Sequence, residues 1–217
     1  MVIDWGTAHP FSVGWYAVSE GVHLAAKGRW EETYLPEGAL IRYREWYGWD
    51  GKPNRGCRMP ARPVAEKIKD IEKERIDYRV GDSAMFAQHN GPSIAEHFME
   101  QGVVLERSKK DRTSGYWEVL SRLSGNEHYK EDGEETHPML FVTESCRHWW
   151  RTCPILTSDT TDPEKGPDTK LEDHAYDETV YACMSRPFVS TEEDRWLEEN
   201  AEFISHAKGG VDPYATV

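Results

Sequence analysis

Apolar residues change their spacing close to Pro63, and this change limits the folds that the chain can form. Before this position, runs rich in β-forming residues end at short turns, at 12–18, 30–35 and 39–46. Three runs of this length joined by short turns predict an antiparallel meander. After this position, the apolar residues take the spacing of amphipathic helices, with short strands between them.

Helices and strands alternate in this second part of the chain. The predicted helices occupy about 63–75, 93–101, 113–124, 146–153 and 173–184, and the strands between them 76–80, 103–105 and 139–143. In the third helix, Trp117, Leu120 and Leu123 are expected to form the buried face. A meander followed by strands that alternate with helices predicts an α/β domain, in which helices flank a mixed central sheet.

Length and composition exclude several classes of protein. The chain has 217 residues, 38% of them hydrophobic and 12% aromatic, which is too rich in apolar groups for a disordered protein. No run reaches the ~18 apolar residues of a membrane span, and the amino terminus lacks the pattern of a signal peptide. The cysteines form no CxxC pair or zinc-type spacing, which predicts reduced thiols at Cys57, Cys146, Cys153 and Cys183.

The charge is distributed unevenly. A net charge of -13 argues, taken alone, against a polyanionic partner. The segment 52–79 nevertheless has nine Lys and Arg against five Asp and Glu, whereas 157–217 has five against fifteen. Because the acidity is concentrated at the carboxyl-terminal end, a nucleic-acid partner for the middle of the chain is not excluded.

Acidic residues stand at the ends of several predicted elements. Asp4 lies in the first strand and Asp82 follows a strand directly, while Asp173 and Asp177 are four apart on one face of the last predicted helix. Strand ends and the helix that crosses them meet at one edge of an α/β sheet. Carboxylates gathered there would repel one another unless a cation lay between them, and hard oxygen ligands suit Mg²⁺ or Mn²⁺.

Each of these residues also has an ordinary structural interpretation. Asp4 and Asp82 could each belong to a turn. Asp173 is a good helix N-cap, and Asp177 in the first turn would complement the helix dipole. His174 could be a surface imidazole. The residues taken singly leave both interpretations open, and only their combination favours a functional site.

Four stretches resemble a known family. They are Asp4-Trp5-Gly6 running into Pro10-Phe11-Ser12-Val13-Gly14-Trp15, then Arg42-Tyr43-Arg44-Glu45-Trp46-Tyr47-Gly48, Gly81-Asp82-Ser83-Ala84, and Asp168-Thr169 with Glu172-Asp173-His174-Ala175-Tyr176-Asp177-Glu178-Thr179-Val180-Tyr181-Ala182. In order and spacing they resemble the nuclease domain of tailed-bacteriophage terminase large subunits, up to about Pro187. The resemblance implies an RNase H-like fold and cutting of concatemeric viral DNA during genome packaging, with Mg²⁺ or Mn²⁺ as cofactor.

The resemblance also implies residue roles. Asp4, Asp82 and Asp177 would be the catalytic, metal-binding carboxylates, with Asp173 and His174 as auxiliary groups at the metal. In the corresponding hypothesis, Asp4 bridges two ions, Asp82 holds one and Asp177 holds the other. A water activated by the ions attacks the phosphate and leaves 5′-phosphate and 3′-hydroxyl ends.

One position departs from the family pattern. The family usually has an arginine where Val180 stands here. This departure leaves the three catalytic carboxylates in place.

Basic residues could serve a DNA partner. Lys109, Lys110 and Arg112 follow a predicted strand and precede a helix, where they would either contact DNA phosphates or form a solvated loop. The chain contains no GxxxxGK[ST] motif, so the packaging ATPase is expected on another part of a longer protein. The expected partners are double-stranded DNA, that ATPase domain, the portal protein and the small terminase subunit, in the cytoplasm of the infected bacterial host and without a membrane.

The expected organisation is a nuclease domain at 1–188 and an acidic carboxyl-terminal helix or tail at 189–217. The tail opens with the capping-box pattern Ser190-Thr191-Glu192-Glu193. This helix could pack on the domain or serve as a docking segment.

Other classes of function remain open at this point. Asp4-Trp5-Gly6-Thr7 is similar to the phosphate loop of actin-like and sugar-kinase-like ATPases, although those proteins need a second such loop and about twice the length. Another RNase H-like enzyme, such as a transposase, integrase or junction resolvase, would use the same carboxylates. A non-enzymatic interaction domain with vestigial acids is the third alternative.

Overall fold

A computed structural model describes residues 1–25, 32–88, 90–109, 111–125 and 136–186 of the chain. Lys110 and the predicted acidic tail at 189–217 lie outside these residues. None of the helices in the described ranges combines the length and the apolar character needed to cross a membrane. All four cysteines are free thiols, as predicted.

The core of the fold is a six-stranded sheet, accompanied by a two-stranded one. The strands are β1 Val2–Asp4, β2 Ser12–Val18, β3 Val22–Leu24, β4 Thr33–Leu35, β5 Leu40–Tyr47, β6 Val80–Gly81, β7 Glu106–Arg107 and β8 Leu140–Val142. The large sheet has the order β7-β6-β1-β2-β5-β8, and β3 pairs with β4 alone. Strand β2 is antiparallel to both β1 and β5, whereas β6, β7 and β8 each run parallel to their neighbours. The predicted mixed sheet is therefore confirmed.

The meander differs from the prediction in one strand. The segment expected at 30–35 contributes β4, which pairs with β3 outside the main sheet. Strand β5 therefore pairs directly with β2. The first strand, which the sequence placed at Asp4, is β1, and it pairs with the other edge of β2 with all three of its residues buried.

Two of the later strands are shorter or displaced. The strand expected at 76–80 is reduced to Val80–Gly81, and the one expected at 103–105 forms instead at Glu106–Arg107. Val103 and Leu105 of this run are buried in the core while Val104 is exposed, and the Val103 N–H donates to the carbonyl oxygen of Phe98. Those residues therefore end a helix and pack beneath the sheet before the chain reaches the edge of β6.

The helices lie close to their predicted positions. They are α1 Ala61–Ile71, α2 Ile94–Glu100, α3 Arg112–Ser124, α4 Arg147–Thr152 and α5 His174–Ser185. Helix α2 begins with a full capping box between Ser93 and Glu96. Helix α3 is capped by Asp111, whose side chain accepts a hydrogen bond from Ser114 N.

The predicted buried face of α3 is wrong. Trp117 and Leu123 are 52% and 48% exposed, and the buried positions are Gly115, Val119 and Arg122. The reason is the close approach of α5, because a Cβ added to Gly115 would lie 2.4 Å from Val180 Cγ1. The small residue faces the neighbouring helix, Trp117 and Leu123 are turned outward, and Leu120 is half-buried.

The sheet is covered on both faces, which gives two apolar clusters. Neighbouring residues of a strand point to opposite faces, so Ile3 packs with Phe98 in one cluster and Val2 packs with Tyr181 in the other. The first cluster includes the buried residues of α1 and α2, and the second includes those of α5. The site described below lies where α5 crosses β1 and β6.

A buried ion pair ties α5 to the sheet. Arg42 on β5 and Glu178 on α5 both have fully buried side chains, and Arg42 Nη2 lies 2.8 Å from Glu178 Oε2. Arg42 Nη1 also bonds Glu45 Oε2 at 2.8 Å, and Ser12 Oγ donates to Glu178 at 3.3 Å. A Cβ added to Gly14 would lie 2.2 Å from Glu178 Oε1, so this glycine on β2 makes room for the carboxylate.

We expect Glu178→Ala to lower the free energy of unfolding by about 3–5 kcal/mol, because it leaves the Arg42 guanidinium buried without its main counter-charge. Urea denaturation followed by circular dichroism measures this change. The control is Glu66→Ala on the exposed face of α1, which should alter stability by no more than about 0.5 kcal/mol. A loss below 1 kcal/mol for Glu178→Ala would show that the pair does not anchor α5.

Candidate functional site

A cleft of about 510 Å³ opens at the edge of the sheet where β1 and β6 end. Asp4 is the last residue of β1, Asp82 directly follows β6, and Asp173 and Asp177 lie at the start of α5. All four carboxylates line this cleft, as do His174, Lys109 and Arg112. The structure therefore brings together the acidic residues that the sequence predicted from separate elements.

Strand pairing places Asp4 beside Asp82. Strands β1 and β6 are parallel neighbours, with Ile3 opposite Gly81, and the Asp82 N–H donates to the carbonyl oxygen of Ile3 at 3.0 Å. Asp82 also caps a short 3₁₀ turn, since its Oδ1 accepts from Ala84 N at 3.1 Å. The structural and the functional interpretations of Asp82 are thus compatible, because the cap fixes the carboxyl group at the cleft.

Asp173 is buried among like charges. Its side chain makes no capping hydrogen bond at the start of α5, so the expected side-chain cap is absent. Burial, followed by repulsion from Asp177 and with a smaller contribution from Asp4, raises the pKa of Asp173 to about 7. Burial is the larger of these causes, and the nearby carboxylates of Asp177 and Asp4 add to it.

His174 contacts the carboxylate cluster directly. Its Nδ1 lies 3.2 Å from Asp4 Oδ2, and its Nε2 lies 3.0 Å from Asn54 Oδ1. The side chain is only 16% exposed, which contradicts the alternative of a surface imidazole. Burial lowers the pKa of His174, although the neighbouring Asp173 acts in the opposite direction.

An ion pair that the sequence did not indicate holds the segment before α5. Arg151 on α4 donates through Nη1 and Nη2 to both oxygens of Glu172, at 2.9 and 2.6 Å, and Tyr47 donates to Glu172 at 3.0 Å. Burial acts to raise the pKa of Glu172, but the hydrogen bonds from Arg151 and Tyr47 outweigh it and the pKa is lowered. Glu172 precedes Asp173, so this bidentate contact sets where α5 begins.

Cationic side chains line the same cleft. Lys109 is exposed there, and Arg112 donates from Nη2 to the carbonyl oxygen of Pro167 at 3.0 Å. Lys165, which the sequence did not single out, also lines the cleft and pairs with Asp162 at 3.0 Å. Of the three predicted DNA-contacting residues, the two that the structure describes lie beside the carboxylates.

The donor set of the cleft fits a divalent cation. Among the residues that the structure describes, no three His, Cys, Asp or Glu side chains meet closely enough to form a ready-made metal site. The side chains around the cleft are nevertheless carboxylates, whose oxygens are the ligands that Mg²⁺ and Mn²⁺ prefer. A cation bound among them would also offset the repulsion between Asp173 and Asp177.

Comparisons with protein-family models, with curated proteins and with solved structures find no match to this chain. The likeness to terminase nucleases therefore stays a prediction from the motifs.

We expect Asp173→Asn to stabilise the metal-free protein at pH 8 by an amount on the order of 1–3 kcal/mol, because it removes a buried charge that its neighbours repel. The unfolded chain ionises Asp173 near its ordinary pKa of 3.8, before the folded chain does near 7. The native protein therefore loses stability as the pH rises through this range, and the advantage of the variant should shrink towards pH 4.

Urea unfolding in EDTA at pH 4.5 and 8 measures the difference. Asp70→Asn on the exposed face of α1 is the control and should show no such pH dependence. Equal stability of Asp173→Asn and the wild-type protein at pH 8 would contradict the crowding of charge in the cleft.

Proposed function

We propose that this chain is a metal-dependent DNA endonuclease with an RNase H-like fold, similar to the nuclease domain of tailed-phage terminase large subunits. The observation that carries the proposal is the convergence of Asp4, Asp82, Asp173 and Asp177 on one cleft, with cationic side chains at its side. Carboxylates drawn from two neighbouring strands and a crossing helix can hold divalent cations, and the cations beside them can bind a phosphodiester backbone.

The arrangement of the sheet supports the finer fold assignment. The strands β1, β2 and β5 form an antiparallel unit, and β6 and β7 extend it in parallel on the β1 side. Helix α5 contacts β1 and β2 and so brings its first turn to the end of β1. This is the mixed sheet with flanking helices that the resemblance implies.

Three carboxylates would hold the cofactor. Asp4, Asp82 and Asp177 would be the ligands of one or two Mg²⁺ or Mn²⁺ ions, with Asp173 and His174 as auxiliary groups. Bound cations would supply positive charge for the attacked phosphate and activate a water molecule for the attack. Asp4 is the central ligand of the proposal, because it lies between the carboxylate of the neighbouring strand and the residues of α5.

The remaining side chains of the cleft would orient the reacting groups. His174 restrains Asp4 through the hydrogen bond between its Nδ1 and Asp4 Oδ2. Lys109 and Arg112 would bind phosphates that flank the cleaved bond, and they would fix the position of the strand without reading its sequence. Hydrolysis would leave a 5′-phosphate and a 3′-hydroxyl.

The biological setting is part of the same proposal. The substrate would be double-stranded viral DNA, and the partners would be the terminase ATPase domain, the portal protein and the small terminase subunit, in the cytoplasm of an infected bacterium. A transposase or resolvase would use the same carboxylates, so branched and linear duplexes should be compared as substrates.

Cleavage of supercoiled plasmid tests the activity. The protein should nick and linearise DNA with Mn²⁺ or Mg²⁺ and should be inactive in EDTA. Asp4→Asn, Asp82→Asn and Asp177→Asn should each reduce the rate by at least about 100-fold, because each removes a proposed metal ligand. Asp70→Asn is the control and should cleave as the wild-type protein does. Full activity in any of the three variants, or in EDTA, would contradict the assignment.

Measurements of DNA binding test whether the cationic side chains of the cleft contact phosphates. We expect Lys109→Ala to weaken binding of a labelled duplex in EDTA and to reduce the slope of log affinity against log salt concentration by about 1, as loss of one phosphate contact does. Fluorescence anisotropy over a range of salt concentrations measures both quantities. Lys67→Ala on the exposed face of α1 should leave the slope unchanged. An unchanged slope for Lys109→Ala would place the DNA elsewhere.

A further inference from the structure

The loop at 49–58, which follows β5, is fastened to the segment that follows Asp4. Gly56 N donates to the carbonyl oxygen of Ala8 at 2.8 Å, and Arg58 N donates to that of Thr7 at 3.2 Å. A Cβ added to Gly56 would lie 2.3 Å from the carbonyl oxygens of both Thr7 and His9, so only glycine permits this approach. The position of the loop relative to Asp4 is therefore set by main-chain contacts.

Asn54 stands at the inner side of this loop and contacts three residues around the cleft. Its Oδ1 lies 3.0 Å from His174 Nε2 and 3.2 Å from His9 Nδ1, and its own carbonyl oxygen lies 3.2 Å from the same His9 atom. Its main-chain N–H faces the carboxylate of Glu172 and helps to lower the pKa of that group. Asn54 has a φ of 52°, a left-handed conformation that asparagine adopts more readily than most residues.

Asp4 and Asn54 each contact one nitrogen of the His174 ring, Asp4 at Nδ1 and Asn54 at Nε2. A carboxylate can only accept a hydrogen bond, so the Nδ1 that faces Asp4 Oδ2 must carry a proton. The other nitrogen meets an amide, which can present either its oxygen or its NH₂ group by rotation. An asparagine therefore satisfies His174 whether or not Nε2 is protonated, which a carboxylate at position 54 would not do.

The contact between Asn54 and His174 joins two distant parts of the chain. Asn54 and His174 are 120 positions apart in the chain, and one lies in the loop after β5 while the other opens α5. The main-chain N–H of the same asparagine faces Glu172, two residues before His174. Moving Asn54 would thus shift the ring that restrains Asp4.

We propose that Asn54 is a positioning residue, which orients His174 and through it Asp4; this inference rests on the proposed function of the cleft. Groups that hydrogen-bond to metal-site residues from the side away from the metal commonly change metal affinity or activity by about 10- to 100-fold. The amide of Asn54 occupies such an outer position, because it bonds the far side of the ring that contacts a proposed ligand.

The test compares Asn54→Gly with Asn90→Gly. Both positions have a left-handed backbone, with φ values of 52° and 53°, so glycine fits each without strain, but Asn90 is exposed and it is Asn54 that contacts His174. Asn54→Gly should lower the affinity for Mn²⁺ about 10- to 100-fold in calorimetry without DNA. It should also reduce kcat for plasmid cleavage while changing KM for DNA by less than about threefold, since the DNA-contacting cations are untouched. Asn90→Gly should match the wild-type protein in every measurement.

A spectroscopic measurement reports the contact itself. The ¹⁵N resonance of His174 Nε2 in the metal-free protein should shift in Asn54→Gly and stay unchanged in Asn90→Gly. Asn54→Ser, which keeps a side chain too short to replace the amide, is the second variant and should behave as Asn54→Gly does. Circular dichroism establishes that each variant is folded.

The outcomes separate the two proposals. Wild-type affinity for Mn²⁺ and an unshifted His174 resonance in Asn54→Gly would overturn the role of Asn54. A wild-type protein that binds Mn²⁺ but cuts no DNA would overturn the nuclease alone, and the Mn²⁺ affinities of the variants would still decide the role of Asn54. A wild-type protein that neither binds Mn²⁺ nor cuts DNA would overturn both.

Discussion

The ion pair between Arg42 and Glu178 is the constraint on which the site depends. Both side chains are fully buried, and separation of the two charges would leave Glu178 buried without its cationic partner and Arg42 with Glu45 as its remaining counter-charge. Glu178 is held against the sheet. The preceding residue, Asp177, points in a different direction around the helix and so lies at the cleft. The buried ion pair between Arg42 and Glu178 therefore fixes the position of the Asp177 carboxylate at the cleft. Gly14 leaves the space that the Glu178 carboxylate occupies.

The same polar network continues from the core to the cleft. Glu45 bonds Arg42 and also accepts the main-chain N–H groups of His148 and Trp149 at 2.6 and 3.1 Å, which fixes the start of α4. Helix α4 then supplies Arg151, whose bond to Glu172 holds the segment just before the carboxylates of α5. Buried charge of this kind contributes less to stability than an apolar core would, and its effect here is to fix the geometry around the crowded acids.

Much of the fold could be predicted from local pattern. The run at 12–18 forms β2 as expected, and Ser93 and Glu96 form the capping box that begins α2. The carboxylates were also found from their places at the ends of elements. The buried face of α3 was predicted wrongly, since the periodicity of Trp117 and Leu123 carries no information about which neighbour approaches. Asn54 and Arg151 were missed, because a turn asparagine and a helical arginine are common and nothing local distinguishes these two.

Element type and the identity of the acidic residues followed from the sequence, since spacing, caps and turns act over a few neighbouring residues. Which strand lies beside which, and so which carboxylates share a cleft, depended on the tertiary structure. The pairing of β1 with β6 brings Asp4 next to a residue 78 positions away, and His174 meets Asn54 across 120 positions. Contacts between residues so far apart in the sequence form only when separate elements pack together, because the residues between them do not fix the distance or orientation of the two ends.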